Sequence, residues 1–234
     1  MLKRTAWQVY RWLADLLMPP CCLHCGRLGS WLCADCALEL PLFTGPLCAR
    51  CGRAWKGSAL CPVCRETPLQ TNPIRAVFLF DGPLRDVIHA LKYRGGAEVV
   101  ETLAPRMREA WVFHGMTGEV LIPVPLHAGR EAKRGYNQAA LLAASLGREI
   151  GLPADEGALQ RVRDTASQTK LNRQERRANV SQAFMVGTGR NFHGKHVVLV
   201  DDVATTGATL EACALTLLQG GAKSVSAFTL ARAS

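Results

Sequence analysis

Eight cysteines fall into four Cys-x-x-Cys pairs: Cys22/Cys25, Cys33/Cys36, Cys48/Cys51 and Cys61/Cys64. Two residues between thiolates let both sulfurs of a tight turn face one metal ion, and two such knuckles complete a tetrahedral four-sulfur zinc site. The expectation is structural zinc, one or two ions. Sequential pairing joins Cys22, Cys25, Cys33 and Cys36, then Cys48, Cys51, Cys61 and Cys64, across gaps of seven and nine residues. Both gaps are short beside the ~15–20 residues of a long ribbon. A cross-braced arrangement, first pair with third and second with fourth, is the alternative. Cys21 and His24 offer a shifted register, but the intact Cys22/Cys25 pair makes them neighbours rather than ligands. A disulfide framework would need an oxidising compartment, and no targeting signal points to one.

A second constellation runs from Val197 to Leu210. It reads as a buried strand, two acids (Asp201, Asp202), a run of small residues (Ala204, Thr205, Thr206, Gly207, Ala208, Thr209) and a helix. Small residues let backbone amides approach an anion, and the helix start adds unpaired N–H groups and a positive dipole end. Three threonine hydroxyls add donors. The Gly-Lys-Ser/Thr of a Walker loop is absent, so this cradle is of another kind. Two carboxylates beside a phosphate make sense as acceptors for sugar hydroxyls, and a ribose 5-phosphate fits both halves.

The elements that must carry these groups follow from periodicity. Short apolar strands are expected at Ala76–Phe80, Val120–Val124, Val197–Val200 and Val225–Leu230, the third apolar on both faces. Helices are expected over Leu84–Tyr93, Glu98–Val112, Gln138–Ile150 and Ala208–Gln219, the last closed by Gly220-Gly221. This alternation predicts an α/β fold with a mainly parallel sheet flanked by helices. Cys213 shares a helix face with Leu210, Ala214 and Leu217 and is expected in the core. Ala6–Leu17 reads as an amphipathic helix that packs on its own protein, stopped by Pro19-Pro20.

Nine of the ten cysteines lie between Cys21 and Cys64, a composition shift that divides the chain. The expected parts are an N-terminal helix (1–20), a small cysteine-rich module (21–66) and a larger domain (67–234). With 48% hydrophobic residues in 234, the chain is not disordered, and no apolar run approaches the ~20 residues of a bilayer crossing. A cytoplasmic location is the working assumption. The net charge is +9, and Arg161–Arg177 contributes +4 of it from six basic and two acidic residues. Arg161, Arg163, Lys170 and Arg173 suit a diphosphate or a nucleic-acid backbone, and Lys92 has the same ambiguity. Arg130 and Arg134 have guanidinium forks suited to diphosphate.

The segment around Asp201-Asp202 resembles the 5-phosphoribosyl-1-pyrophosphate (PRPP) motif of type I phosphoribosyltransferases. The whole of residues 20–232 resembles the ComF family, the competence protein F and GntX group. Further motifs carry that resemblance in order: His89-Ala90-Leu91-Lys92-Tyr93, Pro123-Val124-Pro125-Leu126-His127, Arg134-Gly135-Tyr136-Asn137-Gln138, Arg161-x-Arg163-x-Thr165-x-x-Gln168, and Arg173-x-x-Arg176-x-x-Asn179-Val180. The resemblance implies a double zinc ribbon joined to a phosphoribosyltransferase-like domain. It implies that backbone near Leu126 and His127 contacts pyrophosphate, that Arg161–Arg177 is a hood over the site, and that Mg2+ accompanies PRPP. It also implies a role in natural competence, the uptake and use of single-stranded DNA. The partners so implied are the DNA itself and other competence proteins, a helicase-like motor and a DNA-processing protein among them. The alternative is a non-catalytic adaptor of the DNA-uptake machinery that binds nucleic acid or partner proteins.

Overall fold

The computed structural model describes residues 19–93, 96–162 and 183–233. The helix expected at Ala6–Leu17, and Arg163, Lys170 and Arg173 of the basic stretch, lie outside the described residues.

Four strands form one wholly parallel sheet: β1 (Ile74–Leu79), β2 (Val120–Pro123), β5 (His196–Ala204) and β6 (Ser224–Arg232), in the order β1-β6-β5-β2. Their aliphatic runs suit a sheet covered on both sides. Along β5 the side chains alternate between two cores. Val198 and Val200 enter one, with helices α3 (Leu84–Tyr93), α4 (Gly96–Phe113) and α6 (Gln138–Ile150). Val197 and Leu199 enter the other, with α7 (Ala208–Gln219) and an antiparallel ribbon of β3 (Leu159–Arg161) and β4 (Phe184–Val186). Cys213 is fully buried there beside Leu210, Ala214 and Leu217, as its helix face requires.

Helix α7 has the expected bounds. β5 does not: it continues past Val200 through both acids, because β6 pairs with it as far as Ala204 opposite Arg232. Helix α5 (Ala128–Arg134) was not signalled, since its polar sequence has no buried face. Two short helices, α1 (Ala34–Glu39) and α2 (Pro62–Glu66), lie in the cysteine-rich segment.

That segment is built into the sheet's two cores. Cys22, Leu32, Cys36 and Leu40 pack with Val77, Phe78 and α3 in the first. Cys48, Cys51, Cys61, Cys64 and Leu69 pack with Ile74 and α7 in the second. Its backbone also bonds to β1, the strand at one end of the sheet: Ile74 donates to the Arg50 carbonyl (2.8 Å) and Phe43 donates to that of Val77 (2.7 Å). At the other end, Leu121 of β2 donates to Pro153 and accepts from Asp155, both at 2.9 Å.

Candidate metal centres and anion loop

The sulfurs of Cys22, Cys25, Cys33 and Cys36 lie within 4.8 Å of one another, and so do those of Cys48, Cys51, Cys61 and Cys64. The pairing is sequential, not crossed. The Cys25–Cys33 and Cys51–Cys61 sulfurs are 3.7 and 3.8 Å apart. Ligands of a tetrahedral ion at ~2.3 Å bond length stand about 3.8 Å apart, so both sets fit zinc. None of the described cysteines forms a disulfide. Cys21 belongs to neither set; its thiol is exposed and donates to the Pro19 carbonyl. His24 pairs with Glu39 at 3.6 Å.

The two centres are copies of one motif, a repeat that cysteine spacing alone did not reveal. Cys22-Leu23-His24-Cys25-Gly26-Arg27 corresponds to Cys48-Ala49-Arg50-Cys51-Gly52-Arg53. In each, the first cysteine donates to the arginine carbonyl (2.8 Å in both) and accepts from the glycine, which has positive φ. In each, the third cysteine's N–H points at the first cysteine's sulfur (3.4 Å) and a short helix follows. Burial alone would raise the Cys22 thiol, yet N–H groups of Cys25, Cys33 and His24 bring it down to about 6. Cys48 is likewise brought to about 6 against its burial, by those of Cys61, Cys51 and Arg50. A sulfur held ready as thiolate is a metal ligand.

At the carboxyl end of β5, Asp202 is buried and its Oδ2 lies 2.6 Å from Lys92 Nζ of α3. The ammonium stands off the line of a hydrogen bond, so the contact is an ion pair. Asp201 faces the other core, where it and Arg161 of β3 neighbour Cys213. Burial, and then the charge of Asp202, holds the Asp201 carboxyl well above the ordinary range. After the acids, Ala204 is buried, Thr205 is exposed, and Thr206 accepts from the Ala208 N–H (3.3 Å). Gly207 begins α7 at φ +80°, a conformation that disfavours a side chain. Ala208 and Thr209 form the first turn.

The loop after β2 runs beside this end, because Val124 donates to Val200 (2.9 Å). Leu126 and His127 are half-buried there. His127 caps α5, its Nδ1 accepting from Gly129 at 3.3 Å. The Arg134-Gly135-Tyr136-Asn137-Gln138 motif braces the loop. Tyr136 donates to Leu91 of α3 (2.6 Å), and Asn137 both caps α6 and donates to Val124 (3.1 Å). Arg134 bonds Gln138 and lies over the Tyr93 ring, next to Lys92. Arg161 lies over Phe184. Asp201, Asp202, Lys92, the 204–209 loop and the 125–127 turn thus meet at one end of the sheet.

Two residues that sequence reasoning passed over tie this end to the second metal centre and to the chain that follows it. Glu211, in the first turn of α7, accepts from the N–H groups of Gln70 (2.8 Å) and Thr71 (3.0 Å) and from the Thr71 hydroxyl (3.0 Å). Arg232, 1% exposed, donates to the carbonyls of Cys51 (2.9 Å), Ala204 (2.6 Å) and Thr205. A lone arginine near the end of an apolar strand was the available signal.

Comparison with known proteins matches residues 13–65 to the double zinc ribbon domain and residues 132–234 to the phosphoribosyl transferase domain. Competence protein F of Haemophilus influenzae is 33% identical over 223 residues, covering 91% of this chain and 96% of that protein. DNA utilization protein YhgH of Salmonella typhi is 32% identical over 227 residues, covering 93% and 99%. Competence protein ComFC of Bacillus subtilis is 32% identical over 209 residues, covering 86% and 84%. Among solved structures, the glutamine PRPP amidotransferase of Bacillus subtilis aligns with a TM-score of 0.41 at 19% identity, over 60% of this chain and 30% of that one. With its two sequentially paired four-cysteine centres and its parallel sheet, the chain belongs to the family of competence protein F and DNA utilization protein YhgH, in which a double zinc ribbon joins a phosphoribosyltransferase domain.

Proposed function

We propose that the end of β5 binds a phosphoribosyl ligand, PRPP or a close relative, and that the protein acts in the handling of incoming single-stranded DNA. The observation that carries the ligand is the convergence of Asp201, Asp202 and the small-residue loop 204–209 beside the 125–127 turn. The loop amides, Thr205, Thr206 and the start of α7 hold the 5-phosphate. Asp201 and Asp202 accept from the ribose hydroxyls. The backbone at Leu126 and His127, with Arg134, Arg161 and Lys92, faces the diphosphate. Asp202 and Asp201 would suit a Mg2+ ion arriving with the ligand, which would neutralise diphosphate charge. For pentosyl transfer the chain's own contribution is positioning and fixed charge as pyrophosphate leaves.

Calorimetric titration of PRPP tests the site. An Asp201→Asn/Asp202→Asn chain that keeps the wild-type affinity overturns it. Pyrophosphate release with bases, nucleotides and single-stranded DNA as acceptors separates an enzyme from a non-catalytic adaptor. The names of the relatives and the +9 charge support the DNA role, on the cytoplasmic side. Contact with a nucleic-acid backbone would weaken steeply with salt, and an absence of single-stranded DNA binding at low salt would leave only docking to partner proteins.

A further inference from the structure

Arg232 ends the last strand, far in sequence from everything its guanidinium touches. It is buried, 1% exposed. A buried guanidinium persists only where its donors are satisfied and charge compensates it. Nε and Nη1 meet the first condition. Nε donates to the carbonyl of Cys51, a ligand of the second metal centre, and Nη1 donates to the carbonyls of Ala204 and Thr205. With Zn2+ bound, the four thiolates of the second centre would carry a net negative charge close to this arginine and so meet the second. A hole of about 10 Å³ bounded by Cys51, Cys61, Cys64, Thr206 and Arg232 marks how closely metal centre and loop approach.

The direction of these bonds matters. In a trans peptide the carbonyl and the next residue's N–H point opposite ways. Drawing the carbonyls of Ala204 and Thr205 onto Arg232 therefore turns the N–H groups of Thr205 and Thr206 away from it. The loop's donors are aimed from behind.

We propose that Arg232 is a positioning residue that latches the 204–206 peptides to the second zinc ribbon, so that the loop's anion-facing amides depend on that ribbon's metal. This rests on the phosphate-loop reading only for the identity of the ligand. The latch itself is a claim about the peptides and the metal.

The test uses the full-length, zinc-loaded chain with Arg232→Lys and Arg232→Met. A lysine keeps the charge but lacks the fork that reaches three carbonyls. Three readouts are taken: amide exchange at Thr205 and Thr206, zinc release to a chelator, and calorimetric affinity for ribose 5-phosphate. The lysine variant is expected to exchange those two amides about tenfold faster and bind ribose 5-phosphate about tenfold more weakly. It should also release one of its two zinc ions faster while the other keeps its wild-type rate. The methionine variant should show larger changes. Unchanged exchange and zinc release in a folded lysine variant overturn the latch. So does a lysine variant that loses the sheet, because Arg232 would then be a general fold residue. Wild-type protein that ignores both ribose 5-phosphate and PRPP defeats the ligand reading alone, and the exchange and zinc arms still decide the latch.

Discussion

The repeat between the two ribbons provides a matched pair of substitutions, Gly26→Ala and Gly52→Ala. Both glycines follow the second cysteine of a knuckle, with φ of +73° and +63°. A side chain in the left-handed region costs about 1–2 kcal/mol, and this cost is common to both. The surroundings differ. A Cβ at Gly26 meets nothing within 4 Å, whereas one at Gly52 lies 2.3 Å from the Ile74 carbonyl oxygen on β1. Real Cβ atoms essentially never come within 3.0 Å of a neighbour, and here the neighbour is backbone in a sheet. Relieving such an overlap adds ~1–3 kcal/mol. Gly26→Ala should thus cost ~1–2 kcal/mol and Gly52→Ala ~2–5 kcal/mol. Denaturant unfolding at saturating zinc measures the difference, and competition with a chelator should show the second ion lost first in Gly52→Ala. Equal costs, or a costlier Gly26→Ala, would refute the close approach of the second ribbon to β1.

Three further outcomes follow from the site. Asp201 is held protonated above its ordinary range, so between about pH 4 and that raised value the folded chain keeps a proton the unfolded chain has lost, and stability falls as pH rises. Asp201→Asn should remove that slope and melt higher than wild type at pH 7; an equal or lower melting temperature contradicts it. Glu211→Ala strands three donors of Gln70 and Thr71 and should cost ~2–4 kcal/mol in equilibrium unfolding, with less than ~1 kcal/mol counting against these bonds. Elemental analysis of the purified chain should find two zinc ions, and Cys48→Ser with Cys51→Ser should leave one; a single ion in wild type would refute the two-centre assignment.

The sequence made the alternation of strands and helices readable because most of the buried segments are continuous apolar runs or clean helical faces. Helix α7 was bounded to the residue because Gly207 and Gly220 punctuate it. The end of β5 was not, since acids and small residues lack strand character and only pairing with β6 extends the strand across them. Helix α5 has no apolar face to betray it. Cysteine spacing gave the ligands but left their pairing open, because both arrangements satisfy local turn geometry. Asp201 and Asp202 were legible as a pair, but their division between two cores, one toward Lys92 and the other toward Cys213, follows from strand alternation inside a sheet covered on both sides. Arg232 stood out only as an arginine in an apolar strand, and its role was beyond reach, because its partners Cys51 and Ala204 are 181 and 28 residues away.

The bond from Ile74 to Arg50 has a consequence for the protein's solubility. Arg50 sits inside the second knuckle, between Cys48 and Cys51, so the metal turn itself screens the outer edge of β1. Ile-Arg-Ala-Val-Phe-Leu is an apolar, strand-forming sequence of the kind that recruits a second chain once its edge is bare. Zinc starvation would therefore open an assembly surface as well as loosen a module, and the metal-free chain is expected to be lost to aggregation before it is lost to unfolding.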